Sequence, residues 1–195
     1  MKRFSLRTAS AALAVAALSF GQVQAETYHF DVVHSSIDFS IRHLVSRSKG
    51  KFNEYEGTVT YDKANPAATK IDATIKVGSI DTGNERRDGH LKSDDFFDAA
   101  KYPLITFKSK KAVKKDGKLH VTGDFTMHGV TKEITLPIEV LGIGTHPRNQ
   151  APVAGFSSEV TLKRSDFKVD SWTDAAGVLG DDVHVNILIE AIAKN

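Results

Sequence analysis

From Ser36 to Ala191 the chain keeps returning to an alternation of apolar and polar residues with a period of two. Ile37, Phe39 and Ile41 alternate with Ser36, Asp38, Ser40 and Arg42, and Ile71, Ala73, Ile75 and Val77 with Asp72, Thr74 and Lys76. Similar rows run through Leu119–Met127, Ile134–Val140, Phe156–Leu162 and Val183–Ala191. Successive side chains of a strand point to opposite faces, so each row reads as a strand with one apolar face. Turn residues punctuate the rows at Asn65-Pro66, Asp116-Gly117 and His128-Gly129, the Asp-Gly pair being the strongest short hairpin signal. Adding the less regular Tyr28–Asp31 and Phe52–Tyr61 gives about eight strands with short links, which predicts an all-β antiparallel barrel or sandwich. Pro137 falls inside a row and predicts an edge or a bulge there, and such an edge offers a place for a homodimer to form.

Residues 1–25 stand apart from this pattern. Lys2, Arg3 and Arg7 precede an alanine-rich apolar run from Ala11 to Phe20, and Val23-Gln24-Ala25 matches a signal-peptidase site. The run is too short to span a bilayer, which takes about 20 residues. Export by a general secretory route into the periplasm is therefore expected, leaving a domain from Glu26 to Asn195. The whole chain carries 26 basic and 24 acidic residues; without the leader's three basic residues the balance is 23 to 24, a net charge of −1. A domain so close to neutrality gives no reason to expect nucleic acid as a partner. With no cysteine, the domain has neither disulfides nor thiolate chemistry, and must hold together through its core. No later apolar segment has membrane-spanning length, so the product is expected to be soluble.

One stretch, Asp81 to Phe107, breaks the strand pattern. It gathers Glu85, Asp88, Asp94, Asp95 and Asp98 with two arginines, a histidine, Phe96-Phe97 and a Tyr102-Pro103 stop. Asn84 is placed to cap one helical piece and Ser93 a second, with a bend between them because Gly89 weakens a continuous helix. On such a helix Arg87, His90, Leu91 and Asp94 share a face. Arg87 and His90 on that face suit a polar or anionic group, but the charge pattern alone favours ion pairing of Arg86 and Arg87 with Asp88, Asp94 or Asp95. Phe96 and Phe97 read first as anchors in the barrel.

Catalytic and metal motifs are thin. There is no G-x-S-x-G elbow and no dinucleotide fingerprint, and the spacing of His29, His34 and His43 matches no metal motif. Ser35 and Ser36 beside His34 are a weak nucleophile signal, since adjacency in sequence is not a triad. An eight-stranded barrel either fills its interior or leaves room for one small ligand. Periodicity does not separate these cases, and on the residues alone a solid core is the simpler expectation.

Several spaced motifs resemble one family. D-x-x-H-S-S-I-x-F-S-I-R-H-L from Asp31 to Leu44, Phe52 with Gly57, R-D-G-H-L-K-S-D-D-F-F-D from Arg87 to Asp98 and Tyr102-Pro103 before Ile105-Thr106-Phe107 all resemble the YceI-like family of exported bacterial proteins. Gly129-Val130-Thr131-Lys132 and the R-x-D-F of Arg164 to Phe167 extend the likeness along the domain, although Lys168 stands where the family often has glycine and Ser171–Gly180 is individual. The resemblance implies a lipocalin-like barrel with a helical insertion beside it, and an apolar tunnel that binds polyisoprenoid or similar long-chain lipid without a cofactor. On that footing the expected tunnel residues are Ile37, Phe39, Ile41, Phe52, Ile75, Val77, Leu91, Phe97, Phe107, Phe125, Phe156 and Val185, with His43, Arg87 and His90 at the head group. Two rivals remain: an enzyme acting on a bound lipid, which needs an acid–base pair facing the lumen, and a stress-response interaction protein with a filled core.

Overall fold

The computed structural model of the protein describes residues 25–173 and 177–194; the leader expected over residues 1–25 lies, but for Ala25, outside them. Eleven strand segments form one antiparallel sheet that closes on itself as an eight-stranded barrel. They are β1 (Glu26–Phe30), β2 (Ser36–His43), β3 (Ser46–Phe52), β4 (Tyr55–Tyr61), β5 (Lys70–Lys76), β6 (Ile80–Asp81), β7 (Leu104–Lys115), β8 (Lys118–Met127), β9 (Val130–Thr145), β10 (Pro152–Lys163) and β11 (Leu179–Ala193). The helix α1 (Glu85–Lys92) lies between β6 and β7.

The surplus of segments over barrel strands has a local cause. β1 and β2 are one strand broken by a 3-10 turn at Val32–His34, which Asp31 caps by accepting the Val33 N–H at 3.1 Å. β3 and β4 are likewise one strand bent at Asn53-Glu54. β11 closes the ring at both levels, pairing with β2 through Leu188 and with β1 from Ala191 to Ala193. At the bend β3 leaves the ring to pair with the short β6, and α1 follows from there.

The turns behave as their residues dictate. Asp116-Gly117 joins β7 to β8 with φ of 51° and 77°, and His128-Gly129 joins β8 to β9 with φ of 51° and 72°, the paired positive φ of a type I′ hairpin. At Gly129 a side chain is barred twice, since a Cβ there would also lie 2.5 Å from the Tyr102 ring. Tyr102, from the Tyr-Pro stop, thus packs on the β8–β9 turn, with its ring 4.7 Å from that of His128. Pro137 pairs with His120 of β8, while β10 joins β9 only from Ile138 onward. The proline therefore sits where the strand has a single partner, as an edge residue should. That gap is approached by the 3-10 turn Arg164–Phe167, whose Phe167 meets Phe125 edge-on at 5.2 Å and whose Asp166 pairs with Lys132 at 2.5 Å. Lys168 ends that turn at φ 60°, a left-handed conformation that explains why glycine suits the position.

The insertion is one helix rather than two. Asn84 caps it, accepting the Arg87 N–H at 3.0 Å, and it runs through Gly89 without a break. Ser93 closes this helix instead of starting another: its hydroxyl and N–H both go to the His90 carbonyl, and turns follow to Tyr102. The expected pairing of arginine with carboxylate also gives way. Arg87 donates to the Thr82 hydroxyl and carbonyl at 2.8 and 2.9 Å, and Asp88 accepts from the Thr82 N–H and hydroxyl. Thr82 is the nearer partner because α1 begins only three residues after it.

Candidate functional site

The two halves of the barrel are packed differently. In the half that β1 closes, Val121 and Ala191 are fully buried, and Tyr28 and Tyr61 set their rings edge-on to Phe156 at 6.4 and 5.9 Å. In the half that β2 and β3 close, inward residues such as Phe39, Val160, Val185 and Ile187 are only partly buried, though they face the axis. Their exposed surface lines a cavity of ≈ 380 Å³, within the roughly 300–1,000 Å³ of small-ligand pockets.

The inward row of β10 gives the cavity its axis. Phe156, Ser158, Val160, Leu162 and then Arg164 all border it, from the Tyr28–Tyr61 floor upward, while Ala154 below Phe156 does not. β2 contributes Ile37, Phe39, Ile41 and His43; β11 contributes Leu179, Val183, Val185 and Ile187, in register with His43, Ile41, Phe39 and Ile37, and Ile189 beyond them. The bordering residues that are also exposed to solvent are His43, Arg87 and Trp172, and they mark the mouth. His90 sits there within an aromatic group, its ring 5.0 Å from Phe96 and 5.7 Å from Trp172, and its Nε2 3.1 Å from Asp95. Ser171 donates to the Asp95 carbonyl, which ties the segment before β11 to the insertion.

Of the expected tunnel residues, Ile37, Phe39, Ile41, Phe52, Ile75, Leu91, Phe97, Phe107, Phe125, Phe156 and Val185 border this cavity, as do His43, Arg87 and His90. Val77 does not. It is 1 % exposed in a 3-10 turn after β5, with its N–H on the Pro103 carbonyl, so the strand parity that placed it with Ile71, Ala73 and Ile75 ends one residue earlier. Phe96 and Phe97 both anchor the insertion and face the cavity, Phe97 meeting Phe52 edge-on at 6.4 Å. The solid core expected from the residues alone is therefore present in one half of the barrel and absent from the other.

Among the polar residues of the wall that sequence reasoning passed over, Arg164 and Ser158 are the two with unpartnered buried atoms. Arg164 is 4 % exposed; its Nε donates to the Gly180 carbonyl at 2.9 Å and its Nη1 to the Val169 and Ser171 carbonyls at 2.8 Å each. Its Nη2 and the Ser158 hydroxyl are buried without a protein partner. Burial pushes the guanidinium below its ordinary value, and the nearby Asp181 and Asp170 push it back; a guanidinium stays charged throughout. The polar continuation of the β10 row and the R-x-D-F motif were the available signals.

A second cluster forms where β1 meets β2. Asp31, His34 and Glu190 bring their ligand atoms within 4.8 Å, Glu190 arriving from the far end of the chain. His34 Nδ1 lies 2.7 Å from Asp31 and 3.8 Å from Glu190, so the Asp31 carboxylate raises the histidine's pKa and is itself lowered by the contact. Ser35 makes no catalytic pair, because its hydroxyl donates to the Asp31 carbonyl and accepts the Glu190 N–H at 3.0 Å. Ser36 donates to Asp38.

Comparison with known proteins adds family and fold. The model of the YceI-like domain matches residues 28–191. Protein YceI of Escherichia coli O157:H7 is 41% identical over 180 residues, which cover 90% of this chain and 92% of that one. Among solved structures, Burkholderia cenocepacia BcnA superposes with a TM-score of 0.76 at 27% identity, over 83% of this chain and 99% of its own. A polyisoprenoid binding domain from Saccharophagus degradans, implicated in plant cell wall breakdown, has the same fold at a TM-score of 0.65 and 18% identity, over 88% of this chain and all of its own. Among the described residues no helix is long and apolar enough to cross a membrane.

Proposed function

The chain belongs to the YceI-like family, and from that premise we propose that it is a periplasmic, non-enzymatic carrier or store of a long-chain isoprenoid or similar amphiphile. The tail occupies the cavity and the head group stays at the mouth. One observation carries this reading: a cavity walled mainly by aliphatic and aromatic side chains, with His43, Arg87 and His90 gathered at its exposed end. Each buried methylene contributes about 0.8 kcal/mol, so ten carbons give about 8 kcal/mol before the cost of ordering the chain is subtracted. Affinity then follows tail length, and several long-chain lipids are accepted. The fold, shared with a domain that binds polyisoprenoid in another organism, suits this use. The leader pattern of residues 1–25 supports the compartment.

Native mass spectrometry and lipid extraction of the protein from the periplasmic fraction test the proposal. A long-chain lipid on a chain beginning at Glu26 is expected. Protein without any such lipid, or retained in the cytoplasm with residues 1–25 intact, overturns the corresponding half.

A further inference from the structure

The ionisable residues on the cavity wall are His43, Arg87, His90 and Arg164; among the described residues no aspartate or glutamate borders it. Three of them stand at the mouth. Arg164 is different, being buried on the wall where the β10 row ends. Its guanidinium is held by backbone carbonyls of Gly180, Val169 and Ser171, which supply dipoles and no counter-charge. Holding those segments together takes only Nε and Nη1. Nη2 keeps its hydrogens and has no acceptor in the protein. A buried donor without a partner is unfavourable, the more so on a cation. Of the two carboxylates near it, Asp181 is already engaged by the N–H and hydroxyl of Ser165, and neither Asp181 nor Asp170 accepts a hydrogen bond from the guanidinium. Arg87 needs no such acceptor, since it is exposed and bonded to Thr82.

We propose that Arg164 is an oxyanion-recognition residue inside the cavity, so that the amphiphile this barrel holds carries an acidic head, a phosphate or carboxylate, in preference to a hydroxyl. The inference rests on the lipid-binding reading above and narrows its ligand class. A guanidinium whose Nη2 keeps its hydrogens beside an apolar wall matches an oxyanion and leaves an alcohol with little to gain.

The lone tryptophan, Trp172, borders the cavity, so its fluorescence reports occupancy. The delipidated full domain is titrated with farnesyl phosphate, farnesoic acid, farnesol and inorganic phosphate. The two acids are expected to bind at least about tenfold more tightly than farnesol, the effect of one charge-assisted hydrogen bond. Inorganic phosphate alone is expected to leave the signal unchanged; if it binds as tightly as farnesyl phosphate, the anion is not a lipid head and the proposal falls. In Arg164→Gln, checked for folding by its melting curve, the preference is expected to shrink to within about threefold while farnesol affinity holds. Arg47→Met, at an exposed arginine that bonds Ser40 and does not border the cavity, serves as the second variant, independent of whether Arg164→Gln folds, and is expected to retain the preference. A wild type that does not discriminate acid from alcohol overturns the proposal, as does a preference that survives Arg164→Gln or vanishes in Arg47→Met. Binding of farnesol without discrimination removes only Arg164's role, whereas no binding by any isoprenoid removes the lipid reading itself.

Discussion

Replacing Ser158 with phenylalanine asks whether a ligand's tail runs down the β10 row to the Tyr28–Tyr61 floor. Ser158 lies one inward position above Phe156, opposite Ile187 of β11 and Ile138 of β9, and its hydroxyl has no partner. From Phe156 to Arg164 the row rises about 3.3 Å per residue, so the path along the strand is about 26 Å. Phenylalanine puts about five more heavy atoms into the lower part of this path. A tail long enough to reach the floor loses four or five buried carbons, about 3–4 kcal/mol at 0.8 kcal/mol each, which is about 10²- to 10³-fold in affinity. A tail ending above Val160 loses almost nothing. The fold itself should tolerate the change. Removing an unpartnered buried hydroxyl and burying a ring favour the variant, while overpacking costs about 1–3 kcal/mol. At roughly 2–4 °C per kcal/mol, the melting temperature should stay within a few degrees of wild type.

The assay is Trp172 fluorescence with C10, C15 and C20 isoprenoid alcohols, beside a thermal melt of the same preparation. The expected result is a loss that grows with chain length, so that the variant's best ligand is about one five-carbon unit shorter than the wild type's. A folded variant that weakens all three alcohols equally, or none of them, refutes the threading of the tail past Ser158, because only depth distinguishes the ligands.

Phe39→Ala should do the opposite: its ring packs on Phe52 at 5.6 Å and lies against the cavity, so truncation should cost about 2–4 kcal/mol in a chemical melt and admit bulkier tails. Gly129→Ala should lower stability by about 2 kcal/mol or more, through an L-residue held at φ 72° and the clash with Tyr102; paired with Tyr102→Ala in a double-mutant cycle, the clash part should vanish and the backbone part remain. For His34→Gln the sign follows from the Asp31 contact. The raised pKa of His34 adds stability that is complete below its unfolded value near 6.5 and fades as pH rises through the folded one; the lowered pKa of Asp31 adds stability present above about 3.9 and lost as pH falls. The melting-temperature difference from wild type should therefore peak between about pH 4 and 6.5, and a flat difference across pH 3–9 would show that the pair is not coupled to folding.

Much of the architecture was legible because strand parity is a local property. Ile37, Phe39 and Ile41 share a face whatever they pack against, and the Asp116-Gly117 turn fixes the β7–β8 register through its own backbone angles. Parity failed where the backbone left the strand, at Val77, and element type failed where a capping residue had two uses: Ser93 closes α1 with the same hydroxyl expected to open a second helix. Contacts that join distant segments were illegible. Nothing local to Glu190 announces that it meets Asp31 and His34, or that Arg164 will be held by carbonyls at Gly180, Val169 and Ser171.

Whether the barrel is filled or hollow is a question of a different kind, and it explains why the same alternation accompanies both halves of this molecule. Periodicity fixes which side chains point inward, but a cavity depends on whether their summed volume matches the space the strands enclose. In the lower half three aromatic rings, from Tyr28, Tyr61 and Phe156, converge edge to face and consume that space. In the upper half β3 turns out of the ring to meet β6, and α1 with its following turns fills the breach from the side rather than the centre. The wall is widened there while the inward residues remain apolar, so a space is left over. The Asp81–Phe107 insertion is thus bound up with the existence of the cavity as well as with its mouth. Shortening the insertion should therefore collapse the upper barrel, with loss of the melting transition, instead of yielding an open barrel that still binds.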